Sequence, residues 1–143
     1  MSNMEYDVVN KAESTILSLR KNDKGKIILT KSQIRKFLTA VNGVKNKVDT
    51  FKSKNMHAEN LDDDLAGEVK FLKVNVLYQA GREGIVKDFV LKADLPKIID
   101  DIGTDIKNFE KFCKYVEALV AFHKYYGGRD WEWIEQNKEH KKH

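Results

Sequence analysis

The segment Thr30–Lys54 repeats apolar residues at spacings of three and four along its length, which is the pattern of one face of an α-helix. These apolar residues are Ile34, Phe37, Leu38, Val41, Val44, Val48 and Phe51. Thr30 and Gln33 have the types and spacing of a capping box, so they predict where the helix begins. A helix of this kind buries its apolar face against other elements, and the segment therefore predicts a domain of packed helices.

The rest of the same segment is strongly basic. It holds one acid, Asp49, and seven basic residues, which are Lys31, Arg35, Lys36, Lys45, Lys47, Lys52 and Lys54. The segment Glu59–Glu68 that soon follows holds five acids and no base. The whole chain carries a net charge of only +4, from 26 basic and 22 acidic residues. The uneven distribution, more than the total, favours a surface that faces a polyanion.

The composition bounds the class of protein. A chain of 143 residues is long enough for one domain with an ordinary core, and a content of 41% apolar and 34% charged residues is typical of a folded chain with a charged surface. No run approaches the roughly 18 apolar residues that a membrane span needs. Residues 1–9 lack the pattern of a signal peptide. The single cysteine, Cys113, excludes an intrachain disulfide and predicts a reducing, cytoplasmic setting.

The periodic segments predict an all-α fold, a compact single-domain bundle of about five to six helices without strands. The predicted helices are Met4–Leu19, Thr30–Lys54, Leu61–Ala80, Gly84–Ala93, a fragment from Asp94 or Leu95 to Ile102, and Thr104–Tyr126. We expect Gly81 to end the third helix and Thr104 to cap the last one. The bundle domain is expected over residues 1–128, followed by a polar C-terminal tail over residues 129–143 that contains Trp131 and Trp133.

The third and the last long helices each carry a second apolar stripe. In the third helix this stripe contains Phe71, Val74 and Tyr78. In the last helix it contains Tyr115, Ala118, Phe122 and Tyr126. A helix that is apolar on two sides lies at the centre of a bundle or is covered on its second side by another subunit.

Residue patterns for catalysis are missing. The sequence contains no zinc-protease, phosphate-loop or serine-hydrolase motif, and its four histidines are scattered. His123 and Cys113 fall on an apolar helix face, where both are interpreted as core residues. The run Asp62–Asp64 suits the positive end of a helix better than a metal ion, because consecutive helical residues point about 100° apart. We therefore expect no catalytic residues, no metal and no cofactor. A small hydrolase would need acidic or histidine groups that converge around His123.

The basic face has two interpretations on these grounds. At 100° per residue, Lys36, Lys47 and Lys54 lie on the side away from the apolar stripe. Lys70 and Lys73 on the third helix, and Arg82 just after it, extend this surface if the second and third helices pair antiparallel. Such a face either is simply solvated or holds the phosphates of a nucleic acid without reading its bases, and the second case predicts salt-sensitive affinity.

Three segments together resemble a known family. They are Leu29-Thr-Lys-Ser-Gln-Ile-Arg-Lys36, Phe71-Leu-Lys-Val-Asn-Val-Leu-Tyr-Gln-Ala-Gly-Arg-Glu83 and Phe112-Cys-Lys-Tyr-Val-Glu-Ala-Leu-Val-Ala-Phe-His-Lys-Tyr-Tyr-Gly-Gly128. In order and spacing they are similar to the small subunit of the type III-A CRISPR effector, the Csm complex. The similarity covers about Asp7–Asp130.

The resemblance implies a helical subunit without catalytic activity that works in antiviral defence. Its implied partners are single-stranded target RNA, held by the backbone, other subunits of the Csm complex, and further copies of itself stacked as an inner filament. The motif positions that it suggests for nucleic-acid binding are Lys31, Arg35, Lys36, Lys73 and Arg82. Lys45, Lys47 and Lys52 are added from the helix pattern alone, whereas Tyr78 and Gln79 are left out as candidates for packing. The alternative is a helical protein–protein adaptor without direct nucleic-acid contact.

Overall fold

The computed structural model describes residues 2–131, with the side chains of residues 7–131. Within this range the chain forms six α-helices and no strand, so the predicted all-α class is confirmed. The helices are α1 (Ser2–Leu17), α2 (Lys31–Lys54), α3 (Asp63–Arg82), α4 (Gly84–Ala93), α5 (Leu95–Ile102) and α6 (Ile106–Tyr125). Most of the predicted tail, including Trp133, lies outside the described residues. None of the described helices is long and apolar enough to cross a membrane.

The start of α2 follows the predicted capping box. The Thr30 Oγ1 atom accepts a hydrogen bond from the Gln33 backbone N–H at 3.1 Å, and the Gln33 Oε1 atom accepts one from the Thr30 N–H at 2.9 Å. These two bonds satisfy backbone donors that a helix start leaves without intrahelical partners. The apolar face of α2 is buried as the spacing predicts, with Ile34 and Val48 among its most enclosed side chains.

Two predicted helix ends were wrong. Gly81 does not end the third helix, because α3 continues to Arg82. Thr104 does not cap the last helix. Its hydroxyl donates to Asn60 Oδ1 at 2.9 Å, while the Asp105 carboxylate accepts from the Asn108 N–H at 2.8 Å and caps α6. Each prediction missed the observed helix end by one residue, because the helix continues past Gly81 and the Thr104 hydroxyl is engaged with Asn60.

The two helices with double apolar stripes are placed differently. Helix α6 contacts α1, α2 and α5, and its second stripe is buried or half-buried except at its last residue, Tyr126, which is exposed. Tyr115 of that stripe is buried, and its hydroxyl donates to the Ala93 carbonyl at 2.8 Å. Helix α3 contacts α2, α4 and α5, but its second stripe stays open, with Phe71 65% and Tyr78 63% exposed. A central position in the bundle therefore explains the stripes of α6, whereas the second apolar side of α3 stays exposed among the residues that the structure describes.

Helices α2 and α3 run antiparallel. Near one end the Gln33 amide donates to the Glu83 carboxylate, and towards the other the Lys47 ammonium pairs with Glu68 at 2.6 Å. Residue numbers thus rise along α2 as they fall along α3. This pairing sets the N-terminal half of α2 beside the C-terminal half of α3.

Candidate nucleic-acid interface

An open groove of about 860 Å³ lies between the N-terminal half of α2 and the C-terminal half of α3. We call it the α2–α3 groove. Its lining residues are Lys31, Ser32, Arg35, Lys36, Thr39, Ala40, Asn75, Gln79 and Asp130. Most of these side chains can donate hydrogen bonds, and Asp130 is the one acid among the lining residues. The groove is therefore suited to a ligand that is negatively charged and rich in acceptors.

Helix periodicity places the cations at this groove. Ile34 and Phe37 are buried and fix which side of α2 faces the core. Arg35 and Lys36 are then directed outward, and both are exposed. The capping box holds the first turn, which carries Lys31, in register with them. On α3, Asn75 and Gln79 are one helical turn apart and so line the same groove from the other side.

Among the described residues, the cations of the groove form no ion pair, although Asp130 lines the groove with them. Within residues 7–131, Arg35 and Lys36 form no ion pair. The Lys31 ammonium lies 4.8 Å from the centre of the Trp131 ring, in a cation–π contact that leaves its charge uncompensated. Arginine also suits phosphate because its planar head can grip two oxygens together. Three predicted site residues thus converge with their charges available.

Four other predicted site residues are engaged in ion pairs. Lys45 pairs with Asp49 on its own helix at 3.1 Å, and Lys47 pairs with Glu68. Lys52 pairs with Glu110 of α6 at 2.6 Å, and Lys73 pairs with Asp100 of α5 at 2.8 Å. Each of these lysines is at least a third exposed, so its pair contributes only about 0–1 kcal/mol to stability. The pairs therefore hold the lysines loosely, and none of the four lines the groove.

Arg82 lies at the end of α3 with its guanidinium 5.6 Å from the centre of the Tyr78 ring. At 100° per residue it is within about 20° of Asn75 around the helix axis. Arg82 is therefore on the groove side of α3, whereas Lys73 is turned towards α5. The antiparallel pairing that was needed to extend the basic surface is present. Arg82 lies on the groove side of α3 without lining the groove, and Lys73 faces away from it.

A family model described as Csm2 Type III-A matches residues 5–129. The chain belongs to the Csm2 family. A protein of Streptococcus thermophilus described as CRISPR system Cms protein Csm2 is 42% identical over 126 residues, which cover 88% of this chain and 96% of that protein. The protein of the same description from Mycobacterium tuberculosis is 35% identical over 131 residues, covering 91% and 99%. The protein from Enterococcus italicus is 37% identical over 100 residues, covering 68% of each. The resemblance inferred from three segments is confirmed.

Sequence patterns missed four groove residues of this Csm2-family chain. Ser32, Thr39, Asn75 and Gln79 are neutral donors that only the pairing of α2 with α3 brings together. Gln79 was a candidate for packing, yet it lines the groove, and Tyr78 projects from the bundle. Asn75 and Gln79 are one helical turn apart, so the sequence alone places them on one side of α3. This spacing becomes informative only when it is known which side of α3 meets α2.

The two residues interpreted as core residues are buried. The Cys113 thiol is enclosed, and burial raises its pKa to about 12, so it stays protonated and unreactive. His123 is fully buried, and burial lowers the pKa of its imidazole. Both of its ring nitrogens are engaged, with the Leu29 carbonyl and the Trp131 indole at 2.8 Å each. Among the residues that the structure describes, no group of three or more His, Cys, Asp or Glu side chains is placed to hold a metal ion.

Proposed function

We propose that this chain is a non-catalytic small subunit of a type III-A CRISPR Csm ribonucleoprotein complex and binds the backbone of single-stranded target RNA. The observation that carries the proposal is the α2–α3 groove, where Lys31, Arg35 and Lys36 meet with their charges available. Membership of the Csm2 family supports the type of complex in which the chain is proposed to work. In that role the chain acts in antiviral defence in the cytoplasm.

The chemistry of the groove suits phosphates better than bases. Arg35 and Lys36 provide charge-assisted donors, and the neutral side chains of Ser32, Asn75 and Gln79 can add hydrogen bonds to phosphate oxygens. Contacts to phosphate position a strand but carry no sequence information. A subunit that holds many different target RNAs requires this kind of contact.

We keep Lys45, Lys47, Lys52 and Lys73 in the proposal as secondary contacts. A strand that continues from the groove along α2 would pass Lys45 and Lys47, where phosphates can replace the carboxylates of Asp49 and Glu68. Such an exchange costs little because the ion pairs are exposed and weak.

We also propose that the chain contacts other Csm subunits and further copies of itself in an inner filament. Support comes from aliphatic residues that remain exposed on the side of α1 and α4, namely Leu17 and Leu91. The Lys92 ammonium donates to the Ser18 carbonyl at 2.7 Å, so these two leucines belong to neighbouring parts of one surface. Light scattering that finds a strict monomer at high concentration, alone and with the partner subunits, would count against stacking.

The direct test reverses the charges of Arg35, Lys36 and Arg82 to glutamate and measures single-stranded RNA binding at several salt concentrations. We expect a large loss of affinity, with a salt slope smaller by about one unit for each phosphate contact removed. Circular dichroism checks that the helices persist. Affinity and slope that match the parent chain would favour the adaptor without nucleic-acid contact.

A matched single substitution controls for net charge. Lys107 is exposed at the start of α6. The neighbouring Ile106 N–H donates to the Glu59 carbonyl at 3.1 Å, so Lys107 lies near the start of α3, at the end of that helix away from the groove. Lys107→Glu changes the total charge as much as Arg35→Glu does. We expect Arg35→Glu to weaken RNA binding clearly more than Lys107→Glu.

A further inference from the structure

Two aromatic side chains on α3, close to the α2–α3 groove, are largely exposed in the described chain. Phe71 and Tyr78 are 65% and 63% exposed. They are seven residues apart, so they share one side of α3 at a separation of about 10 Å along its axis. Both lie within about 60° of groove-lining Asn75 around the helix. We call this pair the aromatic edge.

The aromatic edge is continuous with the groove. Phe71 and Asn75 together line a second hollow of about 380 Å³, which also includes Val44 of α2. Asn75 lines the α2–α3 groove as well, so the two depressions meet at this residue. A strand whose phosphates occupy the groove would therefore have the rings of Phe71 and Tyr78 along its flank.

The charge at the Tyr78 end of the aromatic edge favours a polyanion as its occupant. From Phe71 to Arg82, α3 carries no acid, and Arg82 is the cation beside the edge, whereas Lys73 is turned towards α5 and pairs with Asp100. The Arg82 guanidinium lies over the Tyr78 ring. At the Phe71 end, Asp64 and Glu68 also line the second hollow, and Glu68 is paired there with Lys47. At the Tyr78 end the acids are Glu83, which accepts from the Gln33 amide, and Asp130 of the groove. An aromatic surface set among cations has the composition of a site for single-stranded nucleic acid.

We propose that Phe71 and Tyr78 are a stacking platform for the bases of the single-stranded RNA whose phosphates lie in the α2–α3 groove. This inference rests on the proposed function and adds base contacts to it. Every base presents a flat π-face, so stacking on these rings increases affinity without selecting a sequence. The exposed apolar side of α3 and the neighbouring cations would thus bind the same RNA, through its bases and its phosphates respectively.

The test separates bases from phosphates with two probes, a uridine oligomer and an abasic ribose-phosphate oligomer of the same length. The full-length chain is compared with the double variant Phe71→Leu/Tyr78→Leu, which keeps apolar side chains and removes the ring faces. We expect the parent chain to bind the uridine oligomer more tightly than the abasic one. The double variant should lose about tenfold in affinity per ring for the uridine oligomer and nothing for the abasic oligomer.

Val9→Ala is the control, because Val9 is also an exposed apolar residue but lies on α1. It should leave both affinities unchanged. Equal binding of the two oligomers by the parent chain would overturn base stacking while the backbone proposal stands. No binding of either oligomer would overturn both proposals.

A further outcome would assign the aromatic edge to protein. If the double leucine variant kept its affinity for the uridine oligomer and Phe71→Ala/Tyr78→Ala abolished self-association in analytical ultracentrifugation, the occupant of this surface would be a second copy of the chain. The stacking platform would then be wrong. Leucine and alanine variants differ in this respect because a protein contact needs apolar area, whereas base stacking needs the ring.

Discussion

The Nδ1 atom of His123 accepts a hydrogen bond from the indole Nε1–H of Trp131 at 2.8 Å. Because an indole N–H only donates, the imidazole must carry its proton on Nε2, which donates to the Leu29 carbonyl at 2.8 Å. The segment that contains Trp131 is also joined to α2, because the Lys31 N–H donates to the Arg129 carbonyl at 3.0 Å. Buried His123 thus links the end of α6 to the residues at the start of α2, where the α2–α3 groove begins.

We expect acid to destabilise this connection. A second proton on His123 would set an N–H group against the Trp131 N–H, and burial lowers the pKa of the imidazole below its usual value of 6.5. As the pH falls below 6.5, the unfolded chain therefore takes up this proton before the folded chain does. The stabilisation is complete above that pH and is lost below it, by up to about 1.4 kcal/mol per pH unit. Urea unfolding at pH 7.5 and 5.5 measures the loss.

Two histidine variants assign the effect. His123→Gln should lower the stability at pH 7.5 and make it less dependent on pH, since the titrating group is gone. His57→Gln changes an exposed residue beyond the end of α2 and should keep the pH dependence of the parent chain. An unchanged dependence in His123→Gln would contradict the assignment.

Gly128 packs directly on the His123 ring. An added Cβ atom at this position would overlap the imidazole, which its two hydrogen bonds hold in place. Gly128→Ala should therefore lower the free energy of unfolding by about 1–3 kcal/mol. Gly43→Ala is the opposite case, because Gly43 lies inside α2 and a Cβ there meets no atom within 4 Å. That change should stabilise the chain by about 0.5–1 kcal/mol in the same urea experiment.

Local patterns predicted most of the fold, and they failed where tertiary contacts decide. The capping box at Thr30 and the buried face through Val48 depend on neighbours within α2, so periodicity was sufficient. The ion pair of Lys52 with Glu110 joins residues 58 positions apart, and no helical pattern contains that information. For the same reason the basic segment looked uniform in sequence, whereas the structure separates Arg35 and Lys36 from the paired lysines.

The end of the loop before α6 offers a direct test of the corrected cap. Asp105→Ala removes the carboxylate that accepts from the Asn108 N–H and should cost about 1 kcal/mol of stability. Thr104→Ala removes an exposed side-chain hydrogen bond to Asn60 and should cost less than about 0.5 kcal/mol. Chemical denaturation of the two variants decides between them, and a larger loss for Thr104→Ala would restore Thr104 as the cap.

The pair of Lys47 with Glu68 predicts that removal of an acid increases RNA binding. Glu68→Gln releases the lysine from a contact at 2.6 Å, so a phosphate no longer competes with a carboxylate. Since an exposed pair contributes about 0.2–1 kcal/mol, we expect an affinity gain of up to about fivefold at low salt. Glu117→Gln alters the net charge equally on an exposed part of α6 and is the control. Fluorescence anisotropy with a labelled single-stranded RNA measures both variants, and equal gains would remove Lys47 from the binding surface.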